Sequence, residues 1–322
     1  MKRICQKLIV FSVLVVVLSG CVQDRLNVVV TSYPLEYLVE RIAGDRVNVS
    51  RLQQGTVAQR ATIVDSYESV INNADVIFYI NELQPYFELY DSELRNASAQ
   101  RVDLSVYSTL YAFQRYQNVR VSGQIQTFES AYYDSELLNY IDMYEYDPIL
   151  WIDPIAMTSM GRSVLNWLVE NYPDEAETFQ ENFESLEVDL VRLYAEYQKL
   201  RDVTNQLAFV SLTPSFGNWQ KSYGINVYPI VLSKYGALPD EQLMNVYRER
   251  IQDDGVKYIA FEGNMPEDYN RLFNQVKTEL QLTQINLSNL FALSEDDINE
   301  NNDYLSIMYR NLDTLLALSE SE

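Results

Sequence analysis

Histidine is absent from all 322 positions. That one absence removes the usual general base, the usual proton switch and the commonest metal ligand. Cysteine occurs twice, as Cys5 and Cys21, so no cysteine–histidine pair can be built. Nucleophilic or acid–base work is left to Ser/Lys, Tyr or carboxylate systems. The adjacent acids Glu267-Asp268 and Asp296-Asp297 sit beside helical spacing and read as caps or solvated faces. No glycine-rich phosphate loop, zinc-hydrolase pattern or nucleophile elbow occurs. These side chains predict binding, not catalysis, and no cofactor. A hydrolase using carboxylates is the weakest of the readings.

Cys21 has its own chemistry. Lys2, Arg3 and Lys7 make a basic start, Leu8–Leu18 is an apolar run too short to span a bilayer, and Leu18-Ser19-Gly20-Cys21 closes it. That ending resembles the bacterial lipoprotein signal, in which the chain is cut before the cysteine and the cysteine is lipidated. The expectation is a signal peptide over 1–20 and a chain tethered by Cys21 to the extracytoplasmic face of the cell membrane, with no thiol left for a disulfide. Loss of the three basic residues leaves 21 basic against 46 acidic side chains, a net charge of −25. Such a surface repels nucleic acid and anionic lipid, which are poor partner expectations.

The elements that must position any site alternate. Leu26–Tyr33, Val47–Leu52 and Ala74–Ile80 read as buried strands. Leu35–Ala43 has helical spacing, and a loop at Gly55 leads to an amphipathic helix ending at Asn73. After position 205 the alternation resumes, with strands at Ala208–Leu212, Asn226–Val231, Lys257–Glu262 and Gln284–Leu287. Helices are read at Asp240–Gln252, Pro266–Leu280 and Tyr304–Leu318. This is the pattern of α/β lobes with parallel sheets. Between them Phe179, Phe183, Leu186, Leu190, Leu193, Tyr197 and Leu200 step by four and three along one face of a helix predicted over Asp174–Val203. Read as a strut, it joins two lobes. The divisions are 21–172 for the amino-terminal lobe, 173–204 for the linking helix and 205–322 for the carboxy-terminal lobe. The stretch 107–146 is rich in tyrosine, the mark of half-wet packing or of a stacking site for a ring.

Six pieces in order resemble one family. They are Asn27-Val-Val-Val-Thr-Ser-Tyr-Pro-Leu with Gly44-Asp-Arg-Val, Gly55-Thr with Ala74-Asp-Val-Ile-Phe-Tyr-Ile-Asn, Asp147-Pro-Ile-Leu-Trp-Ile-Asp-Pro, Ser215-Phe-Gly with Tyr223-Gly, Phe261-Glu262, and Asp303-Tyr304 through Asn311-Leu312. Together they resemble the substrate-binding lipoproteins of zinc and manganese ABC importers. The resemblance implies two α/β lobes facing across a cleft, joined by one long helix. It implies a metal held between the lobes by His, His, His or Glu, and an acid. Carried across by position, those ligands fall on Gln59, Ile149, Thr213 and Asn302, with Asp303 next to the last. All the expected ligands are replaced, by neutral oxygens or by an alkyl group. Glu262 and Asp303 are the acids that would restore charge if they face inward.

The resemblance therefore implies an extracytoplasmic solute-binding lipoprotein that delivers a solute or metal ion to an ABC permease, with an altered ligand. The other reading is a non-transport adhesion or protein-contact role on the same scaffold, its cleft closed by Ile149 and its neighbours. A cleft lined by ordered polar groups favours the first and one filled by side chains the second.

Overall fold

The computed structural model describes residues 25–320, except 81, 82, 84–90, 114, 115, 123, 204, 205 and 264. The signal-like stretch and Cys21 lie outside the described residues. Near the amino terminus, β1 (Leu26–Val30) is buried at four of five positions, as an apolar run sandwiched between helices should be. It pairs in parallel with β2 (Val47–Arg51) on one side and with β5 (Val76–Tyr79) on the other. β6 (Gln100–Asp103) completes a four-stranded sheet of order β2-β1-β5-β6. α1 (Tyr33–Ala43) follows β1, with Pro34 in its first turn where no donor is lost.

Between β2 and β5 the chain does not run straight into a long helix. It forms β3 (Gln53–Gln54) and β4 (Thr62–Ile63), an antiparallel pair closed over a 3₁₀ turn, Ala58–Arg60. Only the short α2 (Tyr67–Asn72) precedes β5. The predicted amphipathic helix is shorter because Gln53 through Arg60 turn toward the other lobe. α3 (Asp91–Asn96) lies between β5 and β6.

After β6 the chain leaves this lobe. Residues 111–113 and 145–147 are clasped together: Phe113 N–H donates to Glu145 O at 3.0 Å and Asp147 N–H to Tyr111 O at 2.9 Å. The excursion between them holds the hairpin β7 (Tyr116–Val121) and β8 (Gln124–Glu129). It lies within the stretch 21–172 but packs on the carboxy-terminal lobe. Tyr132 and Tyr144 are buried in that lobe's apolar cluster with Tyr228, Ile230, Met244 and Tyr247. The Tyr132 ring stacks on Tyr247 at 5.1 Å and meets Tyr228 edge-on at 5.2 Å. These contacts use it for packing. Tyr107 and Tyr140 stay exposed.

α4 (Pro154–Asn171) is capped by Asp153, whose side chain accepts from Ile155 N–H. α5 (Ala176–Gln198) buries Phe179, Phe183, Leu186, Leu190, Leu193 and Tyr197, the face its spacing predicts. Short 3₁₀ turns, Pro173–Glu175 and Lys199–Arg201, flank it. The α-helical rod is therefore 23 residues, about 35 Å. Gly161 of α4 lets that helix close in. A β-carbon there would stand 3.2 Å from both Leu38 and Phe183.

The second lobe repeats the plan. β9 (Ala208–Ser211), β10 (Asn226–Pro229), β11 (Tyr258–Phe261) and β12 (Thr283–Asn286) form a parallel sheet of order β10-β9-β11-β12. α6 (Gly217–Tyr223), α7 (Glu241–Asp253), α8 (Glu267–Glu279), α9 (Glu295–Asn299) and α10 (Tyr304–Glu320) accompany it. One apolar core takes side chains from both sheets and from the buried face of α5.

Candidate functional site

Glu262, at the carboxyl end of β11, is the best-defined polar centre between the lobes. It is 8% exposed. Its Oε1 accepts from Leu212 N–H at 3.0 Å and Thr213 N–H at 2.9 Å, and its Oε2 from the Thr213 hydroxyl and from Asn289 Nδ2 at 3.0 Å. Burial pushes its carboxyl up; the bonds from Thr213, Asn289 and Leu212 pull the other way, and burial wins. Thr213 also shares a hydrogen bond with the Ser215 hydroxyl. So Thr213 and Glu262 are brought together, but as donor and acceptor to one another.

The other expected positions are also committed. Gln59 is buried in the 3₁₀ turn after β3, and its Nε2 donates to Val231 O at 2.9 Å and Ser233 O at 3.3 Å. Val231 N–H donates to Leu212 O, so Gln59 is anchored on the wall that carries Thr213. Arg60 extends the same bridge. Its Nε and Nη2 donate to Gly236 O at 2.9 and 2.7 Å, its Nη1 reaches Asp268 at 2.6 Å, and its guanidinium lies 4.4 Å from the Tyr269 ring centre. Arg60 holds the Asp268 carboxyl below its ordinary range. Gly236 is left-handed, φ +68°, and a β-carbon there would fall 2.7 Å from Arg60 Cγ.

Ile149 is 2% exposed and belongs to the apolar core; only its carbonyl is engaged, by Asn218 Nδ2 at 2.8 Å. Asn302 stands apart, with its Nδ2 donating to Glu300 Oε2 at 3.0 Å and Asp297 Oδ1 at 3.3 Å. Asp303 caps α10: its Oδ1 accepts from Ser306 N–H at 2.9 Å while its own N–H donates to Ser306 Oγ at 2.7 Å. Its charge is felt at Tyr33 and Tyr37, whose hydroxyls are raised first by burial and then by neighbours including this carboxylate. It is not grouped with Glu262. Among the described residues no three His, Cys, Asp or Glu side chains are placed to hold a metal ion.

Two cavities open along the cleft. One, about 480 Å³, is lined by Thr56, Glu262, Ser288, Asn289, Asp297 and Arg310 among others. Burial pushes Asp297 up, but Ser294 and Arg310 outweigh it and hold the carboxyl low. The second, about 530 Å³, lies between Ser32, Arg51 and Gln53 of the first lobe and Phe291, Ala292 and Leu293 of the second. Ala292 borders both. Polar side chains line these two cavities, whereas at the family's ligand positions Gln59, Ile149 and Thr213 are buried.

The ZnuA family profile, "Zinc-uptake complex component A periplasmic", matches residues 28–317. The chain belongs to the ZnuA family. ZnuA-family proteins are solute-binding components of importers, not enzymes. The zinc-binding lipoprotein AdcA of Streptococcus pneumoniae is 24% identical over 299 residues, 92% of this chain and 56% of that protein. The chain thus spans little more than half the length of the AdcA relatives. The high-affinity zinc uptake system protein ZnuA of Bacillus subtilis is 21% identical over 295 residues, 91% of this chain and 87% of that one. Among solved structures, the periplasmic zinc-binding protein TroA of Treponema pallidum superposes with a TM-score of 0.71 at 19% identity, over 92% of this chain and 99% of that chain. The two-lobed ZnuA-family architecture is therefore the fold of this chain. Sequence reading missed Arg60, Gln53 and Ser32. A weak signal existed for the last two: each is a polar residue two positions past the end of a parallel strand.

Proposed function

We propose that this chain is the solute-binding component of an ABC importer whose cargo is not zinc or manganese held at the family's ligand positions. Family membership supports the transport role. The observation that carries the altered cargo is the Gln59 amide, bonded to Val231 and Ser233 carbonyls across the cleft. Zinc prefers imidazole, thiolate or carboxylate, and manganese wants charged oxygen. Here Thr213 and Glu262 satisfy one another, Ile149 has no donor atom in its side chain, and Asn302 belongs to a helix end. The residues do not fit the ion. Dehydrating a divalent cation costs the same whether or not its ligands are present, so each lost ligand compounds the deficit. Cys21 carries the lipid, the chain stands on the extracytoplasmic face, and an ABC permease receives its solute.

Titration calorimetry of the purified full chain at physiological salt tests the cargo. Neither zinc nor manganese gives a sub-micromolar event, because diffuse attraction to the acidic surface is screened over about 8 Å. A stoichiometric event abolished by Glu262→Gln would mean that a metal site exists and would overturn the proposal.

A further inference from the structure

We infer that residues 55–61 form a strap that holds the two lobes together through the chain's own contacts, so that closure of the cleft does not wait for a solute. This goes beyond the transport reading and does not rest on it. The strap springs from the first lobe. Gln54 and Thr62 pair at its neck. Gly55 turns there with φ +112°, and a β-carbon on it would stand 3.5 Å from Ala61 Cα. Arg60 N–H donates to Val57 O at 3.0 Å and Ala61 N–H to Ala58 O at 3.3 Å, so the loop's own bonds set its shape.

Its tip lies in the second lobe. Val57 is buried in that lobe's apolar cluster with Val210, Leu212, Ile230 and Val231. Thr56 borders the cavity beside Glu262. Gln59 and Arg60 then donate to the carbonyls of Val231, Ser233 and Gly236. The stretch 229–236 is gripped again by the excursion after β6. Tyr132 Oη donates to Pro229 O at 2.9 Å, Tyr144 Oη to Lys234 O at 3.4 Å, and Lys234 N–H to Asp142 O at 2.8 Å. Through this one stretch the first half of the chain holds the second.

Parting the lobes would strip the strap's contacts in one step. Val57 would leave an apolar cluster, and the carbonyls of Val231 and Ser233 would lose the buried amide that donates to them. A buried polar group left unbonded costs more than the bond itself contributes. Because the strap is already shaped, seating it costs little further ordering. A solute shifts a conformational equilibrium only by its different affinity for the two states. Where internal contacts already favour the closed state, the solute has little left to shift. Gln59 stands where the family resemblance puts a metal ligand, and its side-chain amide makes directly the link between lobes that an ion would otherwise make.

The test is the distance between two spin labels on the full chain, carrying Cys5→Ser and Cys21→Ser. The labels go on Glu68→Cys in α2 and Glu249→Cys in α7, exposed positions in the first and second lobes. The protein is unfolded in urea, dialysed free of small molecules and refolded. The expected result is one narrow distance. Two strap variants should each add a second, longer distance. One is Gln59→Ala with Arg60→Ala. The other is Gly236→Ala, which leaves the strap intact but puts a β-carbon 2.7 Å from Arg60 Cγ and 2.9 Å from Tyr269 Oη. Cooperative urea unfolding shows that each variant is folded. A broad or two-component distribution in the refolded parent chain would overturn the inference, and that measurement needs no strap variant to fold. A single unshifted distance in both folded variants would overturn it too. Tight zinc binding in the titration above would sink the altered-cargo reading and leave the strap standing, whereas a second distance in the parent chain would do the reverse.

Discussion

Glu262 shows how a buried acid bonded to one of the family's ligand positions can serve the fold. Its four donors fix it to Thr213, Leu212 and Asn289, and burial still raises its carboxyl. A raised folded value means that stability from this group is fully present below the ordinary glutamate range and is lost as pH rises through the folded value. Relative to Glu262→Gln, the wild-type chain should therefore lose stability across that window, by about 1.4 kcal/mol per unit by which the folded value exceeds the unfolded one. Urea unfolding at a series of pH values reads the difference, and a flat difference would show that the carboxylate is as well solvated in the fold as outside it. The family resemblance of the Phe261-Glu262 pair made Glu262 a candidate acid, without showing which way it faces. It did not reveal that Thr213 would donate to it, since that contact joins two loops 49 positions apart. Asp303 was equally visible as a charge, but the serine three residues on turns it into a helix cap.

At the scale of elements, the 3₁₀ turn Ala58–Arg60 ties the first lobe to the loop after β10 and to the first turn of α8. Arg60→Ala removes two bonds to Gly236 O, an ion pair and a cation–π contact at once. The ion pair is half-exposed and worth little alone. The guanidinium–carbonyl bonds are charge-assisted and contribute more. The expected loss is about 2 kcal/mol, with faster amide exchange confined to residues 56–63 and 231–237. Exchange unchanged in both segments would show that the turn is held by other contacts. Strands and long helices were readable because burial imposes their period: β1, β9 and the face of α5 stand where their apolar residues put them. The β3–β4 pair was not, because its two-residue strands carry no period and its shape is set by partners in the other lobe.

For the whole molecule, the core decides how the lobes behave. Val28 and Phe78 of one sheet and Phe209, Ala260 and Ile285 of the other belong to a single apolar cluster along α5. Lobes that share a core do not melt apart. Scanning calorimetry should show one transition with equal calorimetric and van't Hoff enthalpies, and two resolved peaks would refute the shared core. The excursion clasped at 111–113 and 145–147 adds a consequence for biogenesis. Tyr132 and Tyr144 emerge during synthesis well before β10 and α7, which bury them. For that interval the chain carries homeless aromatic rings. A chain crossing a membrane unfolded would keep them in an extended thread until the last lobe arrives. A carboxy-terminal fragment made alone would lack the tyrosines that fill its own side.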